Sequence, residues 1–157
     1  MNRSRAFPSS VGVLPDNGVL SFLRLLWAID HGMQQRSRSM ARTIGVTGLQ
    51  RLVIRILGVY PRLTPSQLAA LLHLHASTVT DVVQRLQRRG LLLRRIDPAD
   101  RRRFRLVLTA RGRAIGARRK DTIETLLQGV LAEVAAEDLA AAERVLSAVG
   151  QRLSEEG

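Results

Sequence analysis

The run LTPSQLAALLHLHASTVTDVVQRLQRRG, from Leu63 to Gly90, leaves this chain few ways to fold. Thr64 can cap a helix, Pro65 suits its first position, and Gln67 stands where the reciprocal partner of the cap belongs. That helix has no room to grow. After Leu74 a second apolar stripe begins, Val79, Val82, Val83 and Leu86, with Ser77, Thr78, Thr80, Asp81, Gln84, Arg85 and Arg88 on the other faces, and Gly90 ends it. Two short helices about four residues apart predict a helix-turn-helix. The following runs, LLLRRI and RFRLVLT, read as strands joined by DPADRR. Leu91 and Leu93 on one run, and Phe104, Leu106 and Leu108 on the other, are expected to form the buried face. A hairpin placed there is a wing. The fold class is therefore mainly α with a small β-hairpin wing.

The flanks are helical. Residues 1–16 read as a tail, and a helix follows with Phe22, Leu26, Ile29 and Met33 on one face and Trp27 and His31 on a neighbouring one, where packing is the first reading. Gly45 reads as a stop. A further helix carries Leu49, Leu52, Val53, Ile56 and Leu57 on one side up to Pro61. Thr109 is expected to cap one long helix bearing Arg111, Arg113, Arg118 and Arg119 and then Ile123, Leu126, Leu127, Val130, Leu131 and Val134. The last helix repeats Leu139, Ala142, Leu146, Val149 and Leu153, with Glu137 and Asp138 at its start. Such an apolar pair must fold against the first helix of its own chain or against a second copy. Its seven-residue spacing favours the copy.

Charge locates the function. Residues 85–120 hold fourteen basic against two acidic side chains, +12, which equals the net charge of all 157 residues, while residues 121–157 sum to −6. Four arginines, Arg101, Arg102, Arg103 and Arg105, crowd the end of the hairpin. Such a cluster is unfavourable alone and becomes favourable beside a polyanion. The minor groove of duplex DNA concentrates negative potential and draws guanidinium groups inward. Asp100, two residues before Arg102, can hold that side chain in an aimed geometry. The second helix of the pair would enter the major groove with Ser77, Thr78 and Thr80 toward base edges. Asp81 could accept from cytosine N4 there, and Gln84, Arg85 and Arg88 lie further along. Arg85 and Arg88 suit the phosphate backbone. Arginine supplies 24 of the 25 basic residues, and its planar fork matches phosphates and base edges as an ammonium does not.

Other classes fit poorly. Without cysteine there is no disulfide, thiolate zinc site or thiol-based peroxide sensor. His73 and His75 would point roughly 200° apart on a helix, no phosphate loop or HExxH spacing occurs, and neither enzyme activity, a cofactor nor a metal is expected. The N-terminus lacks the apolar core of a secretion signal and no run is long enough to span a membrane, so a cytoplasmic protein is expected. The competing reading is a basic winged helix that binds DNA or RNA without sequence choice, or that contacts proteins.

The segments GVTGLQRLVIRIL and LTPSQLAALLHLHASTVTDVVQRLQRRGLLLRRIDPADRRRFRLVLTARG resemble the MarR (multiple antibiotic resistance regulator) family of bacterial transcription factors, over roughly residues 20–150. The resemblance implies a two-fold dimer: residues 17–44 as an N-terminal dimerisation helix, 45–110 as the winged DNA-binding region, 111–157 as C-terminal dimerisation helices. It implies repression in the bacterial cytoplasm, at the nucleoid, through a palindromic operator on double-stranded DNA. A small, often aromatic and anionic effector bound between the two parts would relieve it, and Trp27 and His31 are the candidate effector contacts. By motif position Asp100 and Arg102 are the wing's aspartate and its groove-inserting arginine, flanked by Arg101 and Arg103. Two departures stand out. Asp81 occupies a position where many relatives carry a base-contacting arginine, and His75 replaces the usual serine-like cap.

Overall fold

The computed structural model describes residues 18–98 and 100–155. The tail expected over residues 1–16 lies outside the described residues. In chain order the elements are α1 (Val19–Thr43), α2 (Gly48–Val59), α3 (Pro65–Leu72), α4 (Ala76–Arg88), β1 (Leu92–Ile96), β2 (Phe104–Leu108), α5 (Ala110–Ala117), α6 (Ile123–Leu131) and α7 (Ala136–Glu155). This is a winged helix-turn-helix flanked by helices on both sides.

Local chemistry sets the helix boundaries. Thr64 and Gln67 form a complete capping box at the head of α3, and Thr47 and Gln50 form another at the head of α2 that the sequence reading passed over. Gly45, at φ 84°, donates its N–H to Met40 O and closes α1, while Gly90, at φ 66°, closes α4. Between α3 and α4, His73 takes a left-handed conformation at φ 50°, giving the tight turn of the helix pair.

The core lies between α2, α3, α4 and the hairpin. Val53, Ile54 and Leu57 meet Leu68, Val79, Val83, Leu86, Leu91, Leu92 and Leu106, all fully or almost fully buried. From α1 only the end joins them, through Met40 and Ile44. The rest of α1 leaves Ile29, Met33 and Trp27 exposed, with Phe22 and Leu26 half-buried. On α2, Ile54 is buried and Leu52 exposed, so the buried face is turned from the one expected.

Two further expectations are corrected. The antiparallel hairpin pairs Leu92 with Leu108, Arg94 with Leu106 and Ile96 with Phe104. Leu92 is therefore the inward leucine of β1 and Leu93 is exposed, while Leu91 is buried ahead of the strand. Phe104 shares the inward face by alternation, yet it is 47% exposed, and its partner Ile96 is 60% exposed, because the wing runs past the edge of the core. The sheet gains one more bond where the Leu106 N–H meets Leu63 O at 2.8 Å.

The long helix expected after Thr109 is two helices. Arg118 is extended and Asp121 is left-handed at φ 60°, so α5 stops at Ala117 and Thr122 caps a new helix, its Oγ1 accepting from the Thr125 N–H. Thr109 does cap α5, accepting from the Gly112 N–H at 3.0 Å, and its hydroxyl donates to Gly90 O at 2.8 Å. One threonine thereby joins the end of the wing to the end of α4.

Gly112 has no room for a side chain, since an added Cβ would lie 2.1 Å from the Leu91 carbonyl oxygen. Gly112→Ala is expected to lower the unfolding free energy by about 1 to 3 kcal/mol, the scale of overpacking against a rigid neighbour. Chemical denaturation checks it, and Gly116→Ala, facing only the Cγ2 methyl of Ile54 at 3.1 Å rather than a backbone oxygen, should cost less.

Candidate nucleic-acid interface

On α4 the apolar residues Val79, Val82, Val83 and Leu86 turn into the core. Ser77, Asp81, Gln84, Arg85 and Arg88 are exposed at intervals of three and four, one continuous outward stripe. Thr78 and Thr80 sit half-buried at its margin, and the Thr80 hydroxyl donates to Ala76 O at 2.8 Å, which engages it with its own backbone. The stripe changes character along the helix. Small hydroxyls stand at the N-terminus, an acid one turn on, and arginines at the C-terminus, where cations are favoured by the helix dipole. His75 caps the helix by backbone conformation only, with no side-chain hydrogen bond, so the first turn keeps its outward N–H groups uncapped by a side chain.

The wing tip is a braced turn. The Asp97 N–H donates to Arg103 O at 2.9 Å, the Asp100 N–H to Asp97 O at 3.2 Å, and the Arg103 N–H to Asp100 O at 2.9 Å. The buried Asp97 carboxylate accepts from Arg105 Nε at 2.5 Å. Asp100 accepts from the backbone N–H of Arg102 at 3.0 Å and pairs with Arg103 Nε at 3.1 Å. Its carboxylate thus shapes the main chain beneath Arg102 and holds the guanidinium of Arg103, a different task from gripping the Arg102 side chain. Of the four clustered arginines, Arg103 and Arg105 are paired with acids, and Arg101 and Arg102 are exposed at the tip. Arg94, not singled out from the sequence, joins Arg102, Arg103 and Phe104 opposite Thr64, Ser66 and Gln67, so the wing and the start of α3 line one recess. Its strand position, two before Ile96 on the same face, was the available signal.

A second missed residue is Arg51. Its side chain is 1% exposed, in the middle of the apolar face of α2. Nε donates to Glu124 Oε1 at 2.8 Å and Oε2 at 3.0 Å, Nη1 to Ile115 O at 2.7 Å, and Nη2 to Arg118 O. One guanidinium therefore binds the last carbonyls of α5 and the first turn of α6, and the adjacent Arg55 adds a bond to Gly116 O at 3.2 Å. The signal was an arginine at the phase of Val53 and Ile54.

Beside this node α1, α2 and α6 enclose a cavity of about 400 Å³. Met33, Gln34 and Ser37 come from α1, Gly48, Leu49 and Leu52 from α2, and Ile123, Glu124 and Leu127 from α6. Trp27 and His31 stand on exposed faces of α1 outside that lining, with His31 Nε2 3.0 Å from Gln35 Nε2. Among the described residues no group of His, Asp and Glu could hold a metal ion, and no helix is long and apolar enough to cross a membrane.

The architecture is a winged helix-turn-helix whose hairpin is tipped with arginines. A model of the MarR family matches residues 46–104. A protein of Thauera aromatica assigned to transcriptional regulation of the hcr operon is 33% identical over 79 residues, 50% of this chain and 48% of that protein. The match thus spans about half the length of that curated relative. Among solved structures, PcaV of Streptomyces coelicolor, a transcriptional regulator crystallised with its natural ligand, is 28% identical with a TM-score of 0.68, covering 87% of this chain and 96% of its own. MepR of S. aureus, crystallised with DNA, shares the fold at 22% identity and a TM-score of 0.69, covering 84% of this chain and 97% of its own.

Removing the buried guanidinium leaves Arg118 O without its side-chain donor, Ile115 O with the Arg118 N–H alone, and Glu124 with only Arg55, 3.9 Å away. Arg51→Met is expected to destabilise the chain by about 3 kcal/mol in chemical denaturation, and Arg51→Lys by less, since an ammonium keeps the charge but not the fork.

Proposed function

We propose that this protein is a transcriptional regulator that binds duplex DNA as a two-fold dimer, at an inverted repeat, in the cytoplasm and at the nucleoid. The outward stripe of α4 enters the major groove, with Ser77, Thr78, Thr80, Asp81 and Gln84 toward the bases and Arg85 and Arg88 on phosphates. The wing carries Arg101, Arg102 and Arg103 to the minor groove, and Asp100 fixes the turn that presents them. One observation carries this reading: Arg101 and Arg102 are exposed on a braced tip directly after α4, in a chain whose C-terminal part is acidic. That distribution turns one end of the molecule toward a polyanion and the other away.

The dimer rests on apolar surface that a single chain leaves open. Val19, Leu20, Leu23 and Ile29 on α1, Val130 and Leu131 on α6, and Val145 and Leu146 on α7 are exposed at about half their area. Their burial between two copies would set two wings and two copies of α4 at a fixed spacing, which is what an inverted repeat requires. Control is by repression, relieved when a small molecule binds between the dimerisation helices and the DNA-binding part. Trp27 and His31 remain candidate effector contacts in the dimer. A second reading, DNA binding without sequence choice, is favoured by Asp81 at the centre of the stripe and by the Thr80 hydroxyl already bonded to Ala76.

Nuclease protection on selected genomic fragments separates the two. A single short inverted repeat with half-sites about one helical turn apart supports the regulator; uniform protection supports the unspecific binder. Arg102→Ala is expected to weaken binding by about 1 to 3 kcal/mol without changing the thermal midpoint, and unchanged affinity would remove the wing from the contact. Leu146→Arg, on the open face of α7, should shift the protein to monomer in sedimentation and lose protection of the repeat, whereas an intact dimer would exclude this face.

A further inference from the structure

The cavity beside Arg51 has a chemical character of its own. Its volume, about 400 Å³, lies within the usual range of small-molecule sites. Met33, Leu49, Leu52, Ile123 and Leu127 make its walls, and Ser37, Gln34 and Glu124 supply the polar side chains. The first two are already engaged: Ser37 Oγ accepts from the Gly48 N–H at 2.8 Å, and Gln34 Nε2 donates to Asp30 Oδ2 at 2.9 Å. Glu124 is a third exposed, and its carboxylate carries more acceptor capacity than Arg51 uses.

No cationic side chain is among the lining residues. A carboxylate brought into this space would leave water and meet carbon on most sides, with the nearest charge that of another carboxylate. An ammonium would meet Glu124, but Arg51 at 2.8 Å and Arg55 at 3.9 Å already balance that charge and would repel a third cation. The lining therefore selects against both signs. Resting on the reading above, that the protein is a ligand-responsive regulator, we infer that this cavity takes a neutral, largely apolar molecule of one or two fused rings, carrying a hydrogen-bond donor directed at Glu124. An aromatic anion, the effector class implied by the resemblance, is the wrong match for these walls.

The same contact couples the site to the DNA-binding part. A donor on Glu124 shares the carboxylate with Arg51 and draws part of its charge away from that pair. Arg51 also holds Ile115 O and Arg118 O at the end of α5, and the start of α5 is fixed to Gly90 and Leu91 through Thr109. Loosening Glu124 thus reaches the junction of α4 and the wing through one chain of direct contacts.

Three probes that share one ring system test the inference: 2-naphthol, 2-naphthoate and 2-naphthylmethylammonium, titrated calorimetrically into the full chain at neutral pH. The naphthol is expected to bind at least roughly tenfold more tightly than either ion, the scale on which a built polar contact discriminates. Leu52→Trp fills the cavity from an exposed position and should abolish that binding, and Glu124→Gln should reduce the preference for the naphthol. Tightest binding of the naphthoate, equal binding of all three, or naphthol binding untouched by Leu52→Trp would each overturn it. Absence of binding by all three would overturn it as well, and if Leu52→Trp then also weakened self-association, the occupant would be a second copy of the chain. These titrations contain no DNA, so their failure leaves the operator reading intact, while failure to protect a repeat leaves the order of affinities to be read independently.

Discussion

The Arg51 guanidinium is the point at which the two ends of this molecule become one structure. Burying an arginine is costly unless every donor finds an acceptor, and here the acceptors come from 64 to 73 positions away in the chain. Two are main-chain carbonyls at the end of α5, which any helix must satisfy somehow, and two are the oxygens of Glu124 in the first turn of α6, where an acid is favoured by the dipole. The break between α5 and α6 thus has a cause. A continuous helix would use those carbonyls internally, and Arg51 would be left buried with nothing to bind.

That same dependence marks the limit of what the sequence made legible. Signals within one turn of the chain were readable: the Thr64 box, the Gly45 and Gly90 stops, the α4 stripe, and the order helix, helix, hairpin. The α5–α6 break was not, because Arg118 and Lys120 have no local objection to a helix and the partner that stops it lies far upstream. The β1 register was lost for another reason. Three successive leucines, Leu91 to Leu93, show no alternation, and the choice of Leu92 as the inward one is made by its pairing with Leu108. Phe104 was assigned to the correct face, but alternation carries no information on where a hairpin outruns its core. The arginine cluster was legible as a charge, whereas the work of Asp100 needed coordinates.

The wing shows how a repulsive cluster is made tolerable before any ligand arrives. Asp97 takes Arg105 and Asp100 takes Arg103, so two of the four positive charges are paired within the turn. The exposed pair at the tip then projects charge without straining the turn beneath it. The exposed Asp100–Arg103 pair contributes little to stability, on the order of 1 kcal/mol or less, so its value here is geometric. Asp100 in particular spends one oxygen on backbone and one on a side chain, so the turn and its cation are set together.

The apolar surface and the basic surface follow from one division of labour. α2 to α4 and the hairpin close a core of their own, and they can present charge outward because their packing needs nothing from a partner. α1, α6 and α7 do not close: among the described residues they hold few buried apolar side chains, chiefly Met40 and Ile123. Contiguous apolar surface on helices of this length is unfavourable in water unless something covers it. The helices that carry this open surface also hold the acidic excess of residues 121–157. The cavity lies where these two regimes meet, with α2 from the closed core and α1 and α6 from the open helices. A molecule there would act at the boundary where Arg51 and Glu124 join the two parts.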